Sequence, residues 1–242
     1  MKYQCIVIDP PWSFSDGLKQ SEVRRGASSN YNTMTIDNLC SLPVRELADP
    51  DGCILALWCV GSQMQEALTV MKSWGFEQKQ TYVWVKTKKE PLEQVADIVS
   101  DAIVAFDKLT SFERPAIKSL KKTIGNKVLS YKDKLTDMLG FGMGHLFRQT
   151  HELCLIGINN TGIYKRVENK SQRSVCFATN EGHSIKPEVF QDSLEALFGD
   201  QEVNKCELFG RRKREGWDVV GNQCPGSIGV DIVESIGMLV AK

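Results

Sequence analysis

Close to the start of the chain an apolar, β-branched run meets an acid, two prolines and an indole: Ile6-Val7-Ile8-Asp9-Pro10-Pro11-Trp12. Prolines fix φ and have no N–H to give to a sheet, so the strand must stop at Asp9. In α/β proteins, ligands bind outside the carboxyl ends of parallel strands, where such a turn would sit. The residue types suit one task. The exocyclic amine of a nucleobase is a poor nucleophile because its lone pair is delocalised into the ring. The Asp9 carboxylate and the Pro10 carbonyl can accept its two N–H bonds, and Trp12 offers a flat face for an extruded base. The same residues also fit a plain tight turn with a packed Trp.

A second constellation lies late in the chain. His183-Ser184-Ile185-Lys186-Pro187-Glu188 leads into a helical pattern, and Cys206-Glu207-Leu208-Phe209-Gly210-Arg211 is a strand ending in Gly. Gly216-Trp217-Asp218 and Gly221-Asn222-Gln223 come after it. Lys186 and Arg211 can hold a carboxylate or ribose oxygens, Asn222 and Gln223 can satisfy a ribose or adenine edge, and Gly210 lets a ligand approach the backbone. Each also has a plain reading: a surface lysine, a strand-end acid at Glu207, a turn at Asn222. No Gly-x-Gly-x-x-Gly follows a strand and no Gly-Lys-Ser/Thr loop is present, which argues against a dinucleotide or ATP site. His145, His151 and His183 show no metal-ligand spacing and no Cys-x-x-Cys occurs, so no metal is expected.

The elements that would hold these residues alternate. Tyr3–Asp9, Cys53–Val60, Thr81–Lys86, Glu152–Ile158 and Lys205–Phe209 are continuous apolar runs, the pattern of buried parallel strands. Between them, Met64, Ala67, Leu68 and Met71 predict a helix over Ser62–Trp74. A helix over Pro187–Phe198 begins on a proline and stops before Gly199. Val230–Leu239 predicts a short docking helix. The expected class is α/β, a mostly parallel sheet with helices on both faces. Residues 90–140 carry no strand signal and read as a helical insertion in a single domain of residues 1–242. Its basic part includes Lys118, Lys121 and Lys122, so it suits either contact with phosphates or packing and dimerisation.

Formal net charge is zero over 242 residues, so any nucleic-acid surface must be local. No apolar run is long enough to span a bilayer, and the N-terminal residues run straight into a strand rather than a leader. The eight scattered cysteines read as reduced, mostly buried thiols of a cytosolic protein.

Taken in order, these pieces resemble the DPPW group of adenine-N(6) methyltransferases, relatives of the messenger-RNA adenosine methyltransferases that include bacterial and phage DNA-modifying members. The likeness rests on Asp9-Pro10-Pro11-Trp12, Tyr31-Asn32-Thr33-Met34, Leu57-Trp58-Cys59-Val60 and Trp84-Val85-Lys86-Thr87. It continues in Gly144-His145, His151-Glu152-Leu153-Cys154, His183-Ser184-Ile185-Lys186-Pro187, Glu207-Leu208-Phe209-Gly210-Arg211 and Gly221-Asn222-Gln223. The resemblance implies a Rossmann-like S-adenosylmethionine-dependent fold with permuted motif order. Asp9, Pro10, Pro11 and Trp12 would then be catalytic. Asp9, Lys186, Glu207, Phe209, Arg211, Asn222 and Gln223 would hold S-adenosylmethionine. Trp12, Tyr31, Arg24, Arg25, Lys118, Lys121 and Lys122 would bind substrate, with Ser13–Asn30 a gate over the base. DNA is favoured over RNA because the chain is compact and lacks RNA-binding modules. The resemblance also implies a homodimer or a heterodimer with a related subunit, no membrane, and the cytoplasm of a bacterium or phage-infected host. Four rivals stand beside it: an RNA adenine methyltransferase, a non-catalytic partner subunit, a protein-amide methyltransferase, which would carry Asn at position 9, and a different α/β enzyme using a nucleotide, which the missing phosphate loops argue against.

Overall fold

A computed structural model describes residues 1–13, 33–88, 139–142, 146–182, 185–224, 227 and 231–242. Seven strands form one sheet: β1 (Cys5–Ile8), β2 (Ile54–Cys59), β3 (Glu77–Thr87), β4 (His151–Ile158), β5 (Val175–Thr179), β6 (Lys205–Leu208) and β7 (Trp217–Val220), in the order β5-β3-β4-β2-β1-β6-β7. The described helices are α1 (Ile36–Cys40), α2 (Val44–Leu47), α3 (Met64–Ser73), α4 (Glu188–Phe198) and α5 (Ile232–Ala241). The chain divides into two compact units. One comprises Met1–Trp84, Glu152–Cys176 and Glu188–Lys242; the other comprises Val85–His151 and Phe177–Pro187. The insertion expected over 90–140 lies outside the described residues except at its last two positions.

The first strand in sequence is central in space. β1 runs parallel to β2 on one side and to β6 on the other, and β6 runs parallel to β7. Chain order therefore reverses at β1, which makes its carboxyl end a topological switch point. β4 departs from the expectation of a parallel strand: it pairs antiparallel with β2, Leu57 opposite Leu155. A continuous apolar run reports burial on both faces and carries no information about direction.

Side chains alternate across the sheet. Ile6, Ile8, Leu55, Leu57, Cys206 and Leu208 pack with Leu39, Leu47, Val70, Met71, Ile236 and Leu239 of α1, α2, α3 and α5 in the main core. On the other face α4 covers Trp58, whose ring meets Phe190 edge-on at 4.8 Å and Trp84 at 6.4 Å. All eight cysteines are free and all but Cys40 are buried. Burial pushes the Cys5 thiol up to about 12 and that of Cys59 to about 11, so neither is a nucleophile at neutral pH.

β7 is not evident from the sequence pattern. Trp217 and Asp218, expected in a ligand pocket, are strand residues that clamp the sheet edge. The Trp217 indole N–H donates to Glu195 Oε1 at 2.5 Å, and Arg214 donates to both oxygens of Glu195 and to Asp192. On the opposite face Asp218 accepts from the Tyr3 hydroxyl and from Lys242, each at 2.7 Å. Beyond their last paired residues, β6 and β7 touch backbone to backbone. Gly210 N–H donates to Val220 O at 3.0 Å, and a Cβ on Gly221 would stand 2.0 Å from Gly210 O. A Cβ on Gly210 would lie 2.3 Å from Val219 Cγ1. These glycines are required by packing between strand ends. Gly210 is buried on this side by the β7 end, and it also borders the cavity described below.

Two predictions concern this edge. Hydrogen bonds from Arg214 hold the Glu195 carboxyl below the usual range, with burial opposing them and Trp217 adding to them. A depressed carboxyl stabilises the fold above its unfolded value, and that stability is lost as pH falls through the folded value. Glu195→Gln should therefore cost about 1 kcal/mol in urea denaturation at pH 7, little at low pH. Gly221→Ala should cost about 2–4 kcal/mol in the same measurement, because the methyl group has only backbone to displace.

Candidate functional site

Because β1, β6 and β7 are parallel and in register, with Ile8 opposite Leu208 and Leu208 opposite Val220, their last residues end level. The segment after each strand is thereby brought to one place: Asp9 after β1, Phe209-Gly210-Arg211 after β6, and Gly221-Asn222-Gln223 after β7. These segments line a cavity of about 540 Å³ with Asp9, Phe209, Gly210, Arg211, Asn222 and Gln223. Pro11, Met34, Asp231 and Ile232 complete the wall. The volume lies within the range of small-molecule and cofactor sites.

Asp9 is half-buried, and its N–H continues the β1–β6 ladder weakly, 3.5 Å from Leu208 O. The turn after it is fixed at each step. The Trp12 N–H donates to Pro10 O at 2.8 Å, and the Met34 N–H donates to Pro11 O at 2.8 Å. A carbonyl oxygen has two lone pairs, so Pro10 keeps one for a second donor. Trp12 departs from the expectation of an open stacking platform. It is 5% exposed, belongs to the main core, and its indole N–H donates to Trp58 O at 2.9 Å. The ring ties the Asp9–Trp12 turn to the end of β2, which places its contribution in positioning Asp9.

Phe209 is the one non-glycine residue with positive φ (63°) among those described. A bulky residue held in the left-handed region costs of order 1–3 kcal/mol and is found where the surroundings require it, often at ligand sites. Here the constraint is visible: the chain must turn between Leu208, still in the sheet, and Gly210, locked against Val220 and Gly221. Glu207 stands behind the cavity wall. It is 9% exposed and accepts from Gln191 Nε2 at 2.7 Å.

The sequence-derived residues thus divide. Asp9, Pro11, Phe209, Arg211, Asn222 and Gln223 meet at the cavity, while Trp12 and Glu207 are not among its lining residues and Pro10 sits between two residues that are. Lys186 belongs to the other compact unit. Tyr31, Arg24, Arg25, Lys118, Lys121, Lys122 and most of the Ser13–Asn30 segment lie outside the described residues, as do His145 and His183. The sequence reading missed Met34, Asp231 and Ile232. Met34 could have been found from its place after the Tyr31-Asn32-Thr33 run. Nothing in the local pattern distinguishes Asp231 from an ordinary helix cap.

The MT-A70 family model matches residues 3–106 and 112–223. A 105-residue stretch, 37% of this chain, is 33% identical to the type II methyltransferase M.MunI of Mycoplasma sp, and covers 45% of that protein. Over 229 residues, 93% of this chain, identity is 25% to the N(6)-adenosine-methyltransferase MT-A70-like protein of Drosophila melanogaster, of which 27% is covered. Over the same length it is 24% identical to the N(6)-adenosine-methyltransferase catalytic subunit METTL3 of Homo sapiens, with 29% covered. The match spans less than half the length of each of these relatives. With the family model aligned along most of its length and the matched segments converging on one cavity, the chain belongs to the MT-A70 family.

Proposed function

We propose that this chain transfers a methyl group from S-adenosylmethionine to the exocyclic amine of adenine in nucleic acid, with DNA the favoured polymer. The observation that carries the reading is the Asp9-Pro10-Pro11-Trp12 turn at the wall of a cavity that also holds Arg211, Asn222 and Gln223. The cavity fits the cofactor's chemistry. A carboxylate suits the amino-acid end or the cation, a guanidinium and two carboxamides suit ribose and ring edges, and Phe209 and Ile232 supply apolar surface. Lys186 is assigned to the carboxylate of the same ligand. When bound, the cofactor supplies an electrophilic methyl group on a sulfonium.

The chain's own part is positioning. Asp9 accepts one N–H of the target amine and the remaining lone pair of Pro10 O accepts the other, which draws the nitrogen's lone pair out of conjugation and aims it. In this reading Asp9 also takes the proton released as nitrogen gains its fourth bond. Trp12 keeps this turn from shifting. Extrusion of the base costs a few kcal/mol, least where it is already unpaired. Tyr31, Arg24 and Arg25 are assigned to the target nucleotide, and Lys118, Lys121 and Lys122 to phosphates. Residues 1–242 are read as one methyltransferase domain, with 90–140 as its target-recognition or dimerisation element.

A homodimer or a heterodimer with a related subunit is part of the same reading. Leu146, Phe147 and Phe177 are 91, 86 and 69% exposed, a loss that association would recover. Among the described residues no helix is long and apolar enough to cross a membrane. Eight free cysteines support a reducing, cytoplasmic setting.

The test is methyl transfer to matched single- and double-stranded DNA and RNA, read by mass spectrometry of the nucleosides. N(6)-methyladenine is expected, chiefly from DNA. Asp9→Asn should lower turnover at least 1000-fold with the thermal midpoint unchanged; retained turnover sinks the assigned role. Charge reversal at Lys118, Lys121 and Lys122 should weaken substrate binding and flatten its salt dependence. Equal salt slopes would assign that segment to packing or dimerisation. Leu146→Ser with Phe147→Ser should shift sedimentation toward the monomer.

A further inference from the structure

The Asp9–Trp12 turn leaves the sheet with few backbone donors to hold it. Pro10 and Pro11 have no N–H, and the N–H of Trp12 folds back onto Pro10 O. Two bonds to the carboxyl end of β2 and the turn after it supply the anchorage. In the first, the Trp12 indole donates to Trp58 O. The second lies one residue further on, where Gln63 Nε2 donates to Ser13 O at 2.8 Å. Two successive fixed points set both the place and the direction in which the chain leaves the turn.

Gln63 is held for this by its own surroundings. It closes the 3₁₀ turn Gly61–Gln63 after β2, its N–H donates to Val60 O at 2.9 Å, and it stands at the N-cap of α3. Ala67, Val70 and Met71 of α3 are buried in the main core. A polar residue at an N-cap ordinarily turns a side-chain oxygen onto the free N–H groups of the helix. Gln63 makes no such bond. It is 8% exposed, and its buried Oε1 has no hydrogen-bond partner among the described residues. A buried acceptor in that state destabilises the fold, and an apolar side chain of the same size would avoid the loss. The amide is therefore accounted for by its donor end, which is spent on Ser13.

We propose that Gln63 is a positioning residue for methyl transfer: by holding the Ser13 carbonyl it fixes the outgoing end of the Asp9–Trp12 turn, and with it the Asp9 carboxylate and Pro10 carbonyl that orient the target amine. This deepens the methyl-transfer reading and rests on it. Gln63 acts through the turn and not through the cofactor cavity. It is not among the residues lining that cavity, and β2 flanks β1 on the side away from β6 and β7, which carry Arg211, Asn222 and Gln223.

The experiment measures methyl transfer to adenine in DNA and RNA, calorimetric binding of S-adenosylhomocysteine, and thermal unfolding, for the whole chain and for Gln63→Met and Gln63→Glu. Gln63→Met removes both ends of the amide at nearly constant volume, so its thermal midpoint should stay within a few degrees of wild type. Its turnover should fall about 10- to 100-fold, while cofactor affinity stays within about 2-fold. Gln63→Glu has a donor for Ser13 O only while its carboxyl is protonated. The ratio of its turnover to that of wild type should therefore fall as pH rises between about 5 and 8. Wild-type turnover in Gln63→Met, cofactor affinity lost in step with turnover, or a Gln63→Glu ratio that is constant with pH each overturns the assignment and leaves methyl transfer standing. If Gln63→Met does not fold, the pH dependence of the Gln63→Glu ratio decides. A wild-type chain that methylates neither polymer overturns the methyl-transfer reading and the assignment with it.

Discussion

The site depends on one constraint, the parallel register that makes β1, β6 and β7 end level. A strand from the start of the chain and two from its late part, ending at Ile8, Leu208 and Val220, stop at the same height. The segments after them have no other reason to meet. Residues 9, 209–211 and 222–223 then line one cavity because a sheet converts register into position. A slip of one residue in β6 would exchange the faces of Glu207 and Leu208, expose the core and remove Arg211 from its place.

Two devices protect that register. At the β1 end, prolines stop the strand and Trp12 anchors the outgoing chain to the Trp58 carbonyl, so Asp9 is held between a ladder and a buried indole. At the β6–β7 end, Gly210 and Gly221 let two backbones approach as closely as ladder strands do, and Phe209 adopts a positive φ to allow it. The strain at Phe209 and the bare backbone at Gly210 are thus parts of one joint. The edge strand β7 is fastened from both faces, by Glu195 on one and by Tyr3 and Lys242 on the other. Its Asp218 carboxyl is held below the ordinary range: burial opposes the charge, and hydrogen bonds from Lys242 and Tyr3 outweigh it.

Much of this was legible in the residues. β1, β2 and β6 are continuous apolar runs bounded by breakers, so their existence and burial followed from composition alone. The Asp-Pro-Pro-Trp turn followed from proline chemistry. The direction of β4 did not, since antiparallel and parallel central strands are equally apolar. β7 is four residues long, and its Trp217 and Asp218 look like ligand-binding types until their partners on α4 and α5 are known. Trp12 shows the same ambiguity in reverse: an indole beside an acid reads as a platform, and only the tertiary structure reveals that it is 5% exposed.

The most direct measurement of the account is amide hydrogen exchange of the whole chain with and without S-adenosylhomocysteine. If register builds a methyl-donor site, slowed exchange should appear together at the segments after β1, β6 and β7 and at the start of α5. It should spare the cavity of about 580 Å³ bordered by Leu68, Lys72 and Asn160 at the other end of the sheet. Protection at that second cavity instead, or binding without protection after any of the three strands, would contradict it.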